Sequence, residues 1–420
     1  MKRTRVSKLI TGMLTLGLLA LVDSVQSNAQ DATSQIALLV GVSEWEPSSK
    51  VPKTHFTESD MALLNKLLTR GGYTVTLMTR EAAGSKYSDL WPSRENILAK
   101  LKSLSNLHGV ERIIVVCSSH GVMHVKTKKS YFLPADATLN HQQEISDPIS
   151  ECRMIAIEEL FDTLDKSPAK NRFLFVDACR MPSLGKDPGF EVPDSNQPPK
   201  GKTIAFYSCG AGEIAKEDTE KRKSAYFSYY LMQALKGRPR KSDGEVLTMG
   251  DLRDYVVDAV KKNSEGQTPE LKFNRSELDF EEVRAAPIVS YIRAGSERTV
   301  KASDLPKKIR DWPSDIVRKE GSKCIVENVT FNGVFDGTNL SWAIFRDCRF
   351  VNCRLTSGVS ITNVQMIDCE FDNSDFTDTR SLGGLEVIGF ESNSVSPNQI
   401  PWNKKTRPLK ILNAHYKFVD

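Results

Sequence analysis

Short apolar runs alternate with helical patterns between about residues 34 and 285. Apolar runs bounded by polar residues predict buried strands, whereas apolar residues spaced three and four apart predict helices. Strands that alternate with helices favour an α/β domain whose mostly parallel sheet is covered by helices on both faces. The predicted strands are 36–42, 74–78, 113–117, 172–176 and 203–207, and the predicted helices are 57–70, 93–104, 157–164, 225–236 and 248–262.

Two irregular stretches interrupt this alternation. Five prolines within 181–202 leave no room for a helix or a strand, which predicts an exposed loop between the fourth and fifth strands. That loop divides the domain into a larger and a smaller part. A second irregular stretch at 286–320 is interpreted as a linker that ends the domain at residue 285.

Large apolar residues recur at every fifth position beyond this linker. Neither a helix nor a flat strand has a period of five, so the pattern indicates a repeat. Two positions before each large residue the chain mostly carries a small one, such as Ala343 or Cys353. The large residues are Phe335, Leu340, Phe345, Phe350 and Leu355 and, after one inserted residue, Ile361, Met366, Phe371 and Phe376.

This repeat resembles pentapeptide-repeat proteins, whose chain winds as a four-sided right-handed β-helix with one repeat on each side. The resemblance implies a small right-handed quadrilateral β-helix at 321–385, followed by a C-terminal tail at 386–420. Cys348 and Cys369 would then lie on the same side of successive coils. A disulfide between them is one alternative, and free thiols that pack as small apolar residues are the alternative we favour.

The first 29 residues have the pattern of an export signal. Basic residues precede an uncharged, mostly apolar run from Leu9 to Val22, and Ser27-Asn28-Ala29 supplies small residues for a signal peptidase. The run is shorter than the roughly 20 residues that span a bilayer, and no later run reaches its length. We therefore expect a signal peptide at 1–29, no stable membrane span, and a periplasmic or extracellular protein. An uncleaved N-terminal anchor is the alternative.

Charge and cysteine content narrow the classes of function. The net charge is +4, and the signal segment carries four basic residues and one acidic residue, so the remainder stays near +1. No basic surface for nucleic acid is indicated. The eight cysteines include no CxxC pair, which gives no sign of a zinc ribbon or of thioredoxin chemistry.

Two predicted strands end in residues suited to nucleophilic catalysis. His120 and Gly121 follow the third strand, and Asp177 and Cys179 follow the fourth. Functional residues of open α/β sheets collect beyond the carboxyl ends of strands, so neighbouring strands would bring His120 and Cys179 together. The imidazole could take the thiol proton and later protonate a leaving amine. The backbone N–H groups of Gly121 and Cys179 could form an oxyanion hole.

The ordered motifs ALLVGV, SDMALLNKL, SSHG, YFLPADA and FVDACR resemble the caspase-like cysteine peptidases, a clan that includes caspases, metacaspases and bacterial relatives. The resemblance covers about 34–275 and implies peptide-bond hydrolysis with His120 as general base and Cys179 as nucleophile. Their spacing of 59 residues is near that of the caspase signature. Weaker candidates are His108, His124, Cys117 and Cys209, which precede, follow or lie within strands.

The resemblance also bears on specificity. Animal caspases have glutamine two residues before the nucleophile, whereas this chain has Asp177 there, as metacaspases do, in which the acid helps to bind arginine or lysine. Asp60 matches a second pocket acid of metacaspases, and Ser208 and Glu217 fall where the family lines its substrate groove. Cleavage after arginine or lysine is therefore implied. As alternatives, Asp60 caps its helix together with Thr57, and Asp177 braces the loop.

Two residues around this pocket have a less defined role. Glu217 follows the fifth strand and is interpreted as a solvated loop charge. Arg180 replaces the histidine that follows the metacaspase nucleophile. Neither a cofactor nor a metal ligand is predicted, because Glu151, Glu158 and Glu159 are too scattered to form the acidic calcium site that some metacaspases have, although calcium activation stays open.

The sequence therefore predicts an exported cysteine endopeptidase that acts on peptide or protein substrates. Its β-helix is assigned to binding or positioning, with a protein partner as one candidate. The competing hypothesis is a non-catalytic interaction protein that uses the caspase-like fold as a scaffold and the β-helix to hold a partner. An esterase is less favoured, because the chain has no G-x-S-x-G nucleophile elbow.

Overall fold

The computed structural model divides the chain into two compact units, Met1–Ser290 and Tyr291–Asp420. The predicted signal peptide, most of the loop 181–202, Glu151 and Phe376 lie outside the described residues. The described residues are 34–49, 51–124, 129–139, 152–180, 198–220, 222–237, 246–290, 298–356, 358–367, 369–372, 374–375, 386–388, 391–392 and 410–412.

The first unit alternates strands and helices. Its strands are β1 (Ser34–Gly41), β2 (Thr74–Met78), β3 (Val110–Ser118), β4 (Gly121–Met123), β5 (Ser130–Phe132), β6 (Ile155–Ala156), β7 (Asn171–Asp177), β8 (Thr203–Tyr207), β9 (Glu217–Asp218), β10 (Ser224–Ala225), β11 (Val246–Thr248), β12 (Glu270–Lys272) and β13 (Pro287–Ser290). Its helices are α1 (Thr57–Arg70), α2 (Arg80–Ala83), α3 (Arg94–Ser105), α4 (Ile157–Leu164), α5 (Tyr226–Leu235), α6 (Met249–Asn263) and α7 (Phe280–Ala285).

The main sheet has the strand order β12-β8-β7-β3-β1-β2. The strands from β8 to β2 pair in parallel, and β12 pairs antiparallel with β8. The predicted, mostly parallel sheet is confirmed, and β12 adds an antiparallel edge strand that the apolar pattern did not predict. Because the five parallel strands point the same way, their carboxyl ends all lie at one edge of the sheet.

Helices cover both faces of this sheet. Helix α3 packs with α4 on one face, and α1 packs with α5 on the other. On the second face, Leu64 of α1 and Leu231 of α5 meet Ile114 and Phe175 of the strands around a small apolar gap. Successive side chains of each central strand are therefore buried on opposite faces, which is why the strands are continuous apolar runs rather than alternating ones.

The small antiparallel sheets of the first unit, called ribbons below, were not predicted. Strands β4, β5 and β6 form a three-stranded sheet, β9 pairs with β10, and β11 pairs with β13. A strand of two or three residues is too short to carry a readable periodicity. These ribbons matter for function, because β4 and β9 both begin with residues of the candidate site.

Parallel strands stacked in two sheets form the second unit. In one sheet, Phe331 pairs with Phe350 and Phe350 with Phe371, and the stacked rings lie 5.2 and 5.1 Å apart. The sheets have the orders β14-β17-β19-β21-β23 and β15-β16-β18-β20-β22-β24, in which only β15–β16 is antiparallel. The strands are β14 (Arg298–Lys301), β15 (Val317–Glu320), β16 (Lys323–Glu327), β17 (Val329–Phe335), β18 (Ala343–Arg346), β19 (Arg349–Leu355), β20 (Gln365–Ile367), β21 (Glu370–Asp372), β22 (Glu386–Ile388), β23 (Glu391–Ser392) and β24 (Lys410–Leu412).

Both boundaries expected around the second unit need correction. The expected linker 286–320 contains β13, which pairs with β11 of the first unit, and β14 and β15, which pair within the second. Buried Ile309 and Trp312 also anchor this stretch in the core of the second unit. The expected tail from 386 onward contains β22 to β24, which extend the parallel pairing. These short strands were not predicted because their apolar residues are too widely spaced to show a period. They are defined by their pairing with other strands.

Candidate active site

The site lies where β3 and β7 end side by side. The two strands are parallel neighbours, and Ser118 pairs with Asp177 at their carboxyl ends. His120 and Cys179 are each the second residue beyond this pair, and the Ser119 N–H donates to the Asp177 carbonyl at 3.2 Å. The adjacency expected of these strands is therefore confirmed, and the strand register carries the histidine and the cysteine to the same edge.

Gly121 packs directly against the nucleophile segment. A methyl group added at this position would overlap the carbonyl oxygen of Cys179 and approach the Ala178 Cβ to 2.9 Å. Glycine is required here because the two backbones approach each other too closely for a side chain. The N–H of Gly121 also faces away from β5. In the antiparallel pairing of β4 with β5, Leu133 donates to His120 and His124 donates to Lys129, so the hydrogen-bonded pairs alternate with the pair containing Gly121.

The imidazole of His120 is held in a defined orientation. Its Nε2 atom lies 3.0 Å from the carbonyl oxygen of Pro52, and its ring stacks on the indole of Trp45 at 5.2 Å between centroids. Because a carbonyl oxygen only accepts, the Nε2 atom carries the hydrogen and Nδ1 of the neutral ring is left as an acceptor. Burial lowers the pKa of His120 to about 4, so the imidazole is neutral at physiological pH.

The thiol of Cys179 is half-buried and protonated at neutral pH. Its Sγ atom donates to the Ala215 carbonyl oxygen over 3.7 Å. Burial raises its pKa to about 11, and the carboxylates of Asp177 and Glu217 act in the same direction. The resting site therefore combines a neutral thiol with a neutral imidazole rather than an ion pair.

Two carboxyl groups lie buried beside this pair. Asp60 is 1% exposed and Asp177 is 4% exposed. Oδ2 of Asp60 accepts the Ala225 N–H at 2.9 Å, while its buried Oδ1 has no hydrogen-bond partner within the described residues. Asp177 accepts the Ser228 hydroxyl at 2.7 Å. Burial raises the pKa of Asp60 well above its ordinary value and that of Asp177 to about 6.

These contacts exclude one of the alternatives for the two acids. Helix α1 begins without a side-chain cap, so the expectation that Asp60 caps it together with Thr57 is wrong. The carboxyl of Asp60 instead reaches Ala225, 165 residues away in sequence. The bond from Ser228 to Asp177 ties the end of β7 to α5, which agrees with a bracing role and leaves a pocket role open.

Ser208 lies deeper than a groove residue would. Its side chain has no exposed surface, and its N–H donates to the Val176 carbonyl at 2.8 Å. The hydroxyl lies beside Asp177 and partly offsets the rise in the pKa of that carboxyl. The Ser208 hydroxyl makes no hydrogen bond within the described residues, and its burial means that it does not line an open surface.

The structure places Glu217 at the site. The expectation of a solvated loop charge is wrong, because its side chain is only 20% exposed and accepts the N–H groups of His55 and Phe56 at about 3.1 Å. Its carboxylate acts electrostatically on His120, Cys179 and both buried aspartates. Pairing of Glu217 with Ala225 in the β9–β10 ribbon brings it there. No local sequence signal marks so short a ribbon.

The weaker candidates lie elsewhere. His108 is exposed at the opposite end of β3, and His124 is buried one residue after β4. Cys117 and Cys209 have no exposed surface, as expected for core residues. Arg180, directly after the nucleophile, is buried and binds Glu270 at 2.6 Å and the Cys209 carbonyl at 3.1 Å. It stabilises the loop that carries Cys179.

Two further features concern the described part of the chain. Across those ranges, no group of three or more His, Cys, Asp or Glu side chains is arranged to hold a metal ion. Among the helices described there, none combines the length and the apolar character needed to cross a membrane.

Comparison with known proteins assigns the first unit to a family. The model of the caspase domain, peptidase family C14, matches residues 34–280, which is more than half of the chain. The protein therefore belongs to the caspase-domain family of cysteine peptidases, whose substrates are peptides or proteins. No curated protein was found to match the chain.

Two solved structures are similar at low sequence identity. A Geobacter sulfurreducens protein from a structural genomics programme is 14% identical, with a TM-score of 0.42 over 61% of this chain and 99% of that one. Caspase-1 from Spodoptera frugiperda is 15% identical, with a TM-score of 0.39 over 57% of this chain and 87% of that one.

Proposed function

We propose that the first unit hydrolyses peptide bonds with Cys179 as the nucleophile and His120 as the general base. The observation that carries this proposal is the pairing of Ser118 with Asp177 at the ends of neighbouring strands. His120 and Cys179 each lie two residues beyond this pair, at the same edge of the sheet. Membership of the caspase-domain family supports the same chemistry.

In the proposed reaction, Nδ1 of His120 removes the thiol proton while Sγ of Cys179 attacks the substrate carbonyl carbon. Because both groups are neutral at rest, the proton moves during the attack and not before it. The imidazolium then protonates the leaving amine, which departs and leaves a thioester. A water molecule, deprotonated by His120, hydrolyses the thioester to a carboxylic acid and restores the thiol.

The developing oxyanion needs two hydrogen-bond donors. The N–H of Gly121 is one candidate, because the ladder alternation turns it away from β5 and its missing side chain brings it against the Cys179 backbone. The N–H of Cys179 is the second candidate. Donors fixed by the backbone need no reorganisation as charge develops, and losing one typically costs about 10²–10³-fold in rate.

Specificity for arginine or lysine before the scissile bond is the finer part of the proposal. Asp60 and Asp177 are buried, Glu217 lies close to both, and one carboxylate oxygen of Asp60 makes no hydrogen bond among the described residues. Such carboxylates are costly to keep ionised without a counter-charge. A cationic substrate side chain would supply that charge together with hydrogen-bond donors. Ser228, which donates to Asp177, would then hold that carboxyl in place, and the fully buried Ser208 would not touch the substrate.

The test compares fluorogenic peptides that end in arginine, lysine or aspartate. Protein starting at Gln30 is assayed with reductant, with and without calcium, beside Cys179→Ala. We expect cleavage after arginine and lysine that disappears in the variant. Cleavage after aspartate would retain the peptidase and overturn the pocket, and inactivity of a folded protein would favour the non-catalytic scaffold.

Citrulline, the neutral isostere of arginine, tests the charge of the pocket directly. Asp177 has a pKa of about 6, so its ionised fraction rises as the pH passes from 5 to 7. The ratio of kcat/KM for arginine over citrulline should therefore increase across this interval. A ratio that stays constant with pH would show that these carboxyl groups do not read the substrate charge.

For the second unit we propose a pentapeptide-repeat β-helix that binds a protein partner or positions the substrate. The stacked register of Phe331, Phe350 and Phe371 supports this architecture, because strands paired in parallel about one coil apart place like residues above each other. Fusion of the unit to a pull-down tag, with and without the first unit, tests partner binding.

We also propose export through the N-terminal segment. The basic residues, the apolar run and the small residues before Gln30 support cleavage after Ala29. N-terminal sequencing of protein from fractionated cells tests it, and an intact N-terminus in the cytoplasmic fraction would contradict export.

A further inference from the structure

Trp45 lies in the loop between β1 and α1, where it contacts the candidate general base. The indole stacks on the His120 imidazole with an interplanar angle of 26°. The same loop supplies the Pro52 carbonyl to the Nε2 atom, so it touches both the edge and the face of the ring. The loop is closed at its base, where the Thr54 N–H donates to the Ser43 carbonyl at 3.0 Å.

The indole is itself fixed from a second direction. Trp45 is 8% exposed, and its Nε1–H donates to the carbonyl of Pro134 at 2.7 Å. The preceding residue, Leu133, donates its N–H to the His120 carbonyl at 3.1 Å. One short segment after β5 therefore holds the backbone of His120 and the ring that stacks on its side chain. Neither the His120 backbone nor the indole can shift without breaking a bond to this segment.

We infer that Trp45 is a positioning residue that keeps the His120 imidazole in the plane from which Nδ1 reaches the Cys179 thiol, and that shields one face of the ring from water. This inference rests on the proposed function. The bond to Pro52 fixes one ring atom and leaves rotation about that contact open. A large flat side chain against the ring face removes this freedom, and a small loss of alignment between reacting groups can cost about 10²-fold in rate.

The charges around the imidazole affect the pKa of His120 and therefore the pH dependence of hydrolysis. Glu217 on β9 favours the protonated ring, and burial opposes it more strongly. Asp177 ends β7 and Cys179 follows it, on the strand that neighbours β3, the strand before His120. On the loop that carries Trp45, Glu44 is paired with Lys53 at 2.8 Å. Removal of the indole would admit water to the ring and leave these charges in place, so the pKa of His120 should rise towards its ordinary value.

The experiment compares Trp45→Ala and Trp45→Phe with the wild type on an arginine peptide. Trp45→Ala should lower kcat by about 10–100-fold, change KM by less than about threefold, and move the acidic limb of kcat/KM to higher pH. Trp45→Phe keeps a ring against His120 and loses only the bond to Pro134. It should retain most of kcat and the position of the acidic limb. Trp91→Ala is the matched control, because that indole packs under Arg80 outside the site.

Two results would overturn the inference: an unchanged acidic limb in Trp45→Ala, or equal losses of kcat in Trp45→Ala and Trp91→Ala. If the wild type cleaves no peptide, the proposed function fails, and the contact is then tested by NMR titration of the His120 imidazole in full-length protein. A pKa that rises in Trp45→Ala and not in Trp91→Ala supports the shielding, and an unshifted pKa refutes it.

Discussion

The eight cysteines behave differently in the two units of the molecule. All are free thiols, which agrees with the alternative favoured for Cys348 and Cys369. The four cysteines of the second unit are buried core residues, as are three of the four in the first. Cys179 alone among the eight is partly exposed, because it lies two residues beyond the paired end of β7. A cysteine thiol therefore fills space where it is buried in a core, and it is available for chemistry where it lies beyond a strand end.

Strand register serves the two units in opposite ways. In the second unit, parallel pairing sets phenylalanine against phenylalanine and so repeats one kind of contact. In the first unit, parallel pairing of β3 with β7 sets unlike extensions, one with histidine and one with cysteine, at the same edge. In the second unit the register stacks like residues and so stabilises the core. In the first unit the register of two unlike strands brings different functional residues together.

The largest expected effect on stability lies in the stacked core of the second unit. Phe350 is fully buried between Phe331 and Phe371, so Phe350→Ala should lower the free energy of unfolding of that unit by about 3–5 kcal/mol. Hydrogen exchange measured by mass spectrometry resolves the two units. Phe280→Ala, at a position 49% exposed, is the control and should change stability by less than about 1 kcal/mol. Equal effects of the two variants would refute the stacked core.

The second-largest effect is the loss of folding stability that the buried carboxyl of Asp177 causes in the first unit. The Asp177 carboxyl has a pKa of 3.8 when unperturbed and about 6 when folded, so the folded state loses stability as the pH rises from about 4 to about 6. Asp177→Asn should therefore raise the free energy of unfolding by about 2–3 kcal/mol at pH 8 and by little at pH 3.5. Urea unfolding at both pH values measures this, and the same variant should cleave after arginine more slowly.

Asp254 provides a control of opposite sign. It binds Arg284 at 2.9 Å, and that contact lowers its pKa. A lowered pKa stabilises the folded state above the unfolded pKa, and this stabilisation is lost as the pH falls. Asp254→Asn should therefore destabilise at pH 8. A gain from both substitutions would show that the effect is not specific to the site.

The smallest expected effect separates the two classes of cysteine. Cys353→Ala removes a buried sulfur and should cost about 1 kcal/mol of unfolding free energy while peptide hydrolysis is unchanged. Cys179→Ala should leave stability within about 0.5 kcal/mol and abolish hydrolysis. In the folded wild type, iodoacetamide should label Cys179 before Cys353, as read by peptide mass spectrometry. Labelling of Cys353 at the same rate would contradict the distinction.

The site could be predicted in part because its two main residues follow long, strongly apolar strands. Such strands are readable from local pattern, and parallel neighbours place their carboxyl ends together whatever the loops do. The spans predicted for α1, β2, α4 and β8 agree with the structure to the residue. Glu217 and the bond from Ala225 to Asp60 were not predictable in this way, because they depend on a two-residue ribbon packed against a distant helix.

The sequence by itself determined the alternation of strands and helices, the chemistry at the ends of β3 and β7, and the period of five in the second unit. These are local properties, since side-chain type and spacing act on neighbouring residues in the chain. Only the tertiary structure decided that Asp60 binds Ala225 instead of capping its helix, that Ser208 is buried, and that Trp45 covers the His120 ring. Those outcomes follow from packing between residues far apart in the chain, where burial and the geometry of neighbouring backbones select one partner among several that the sequence allows.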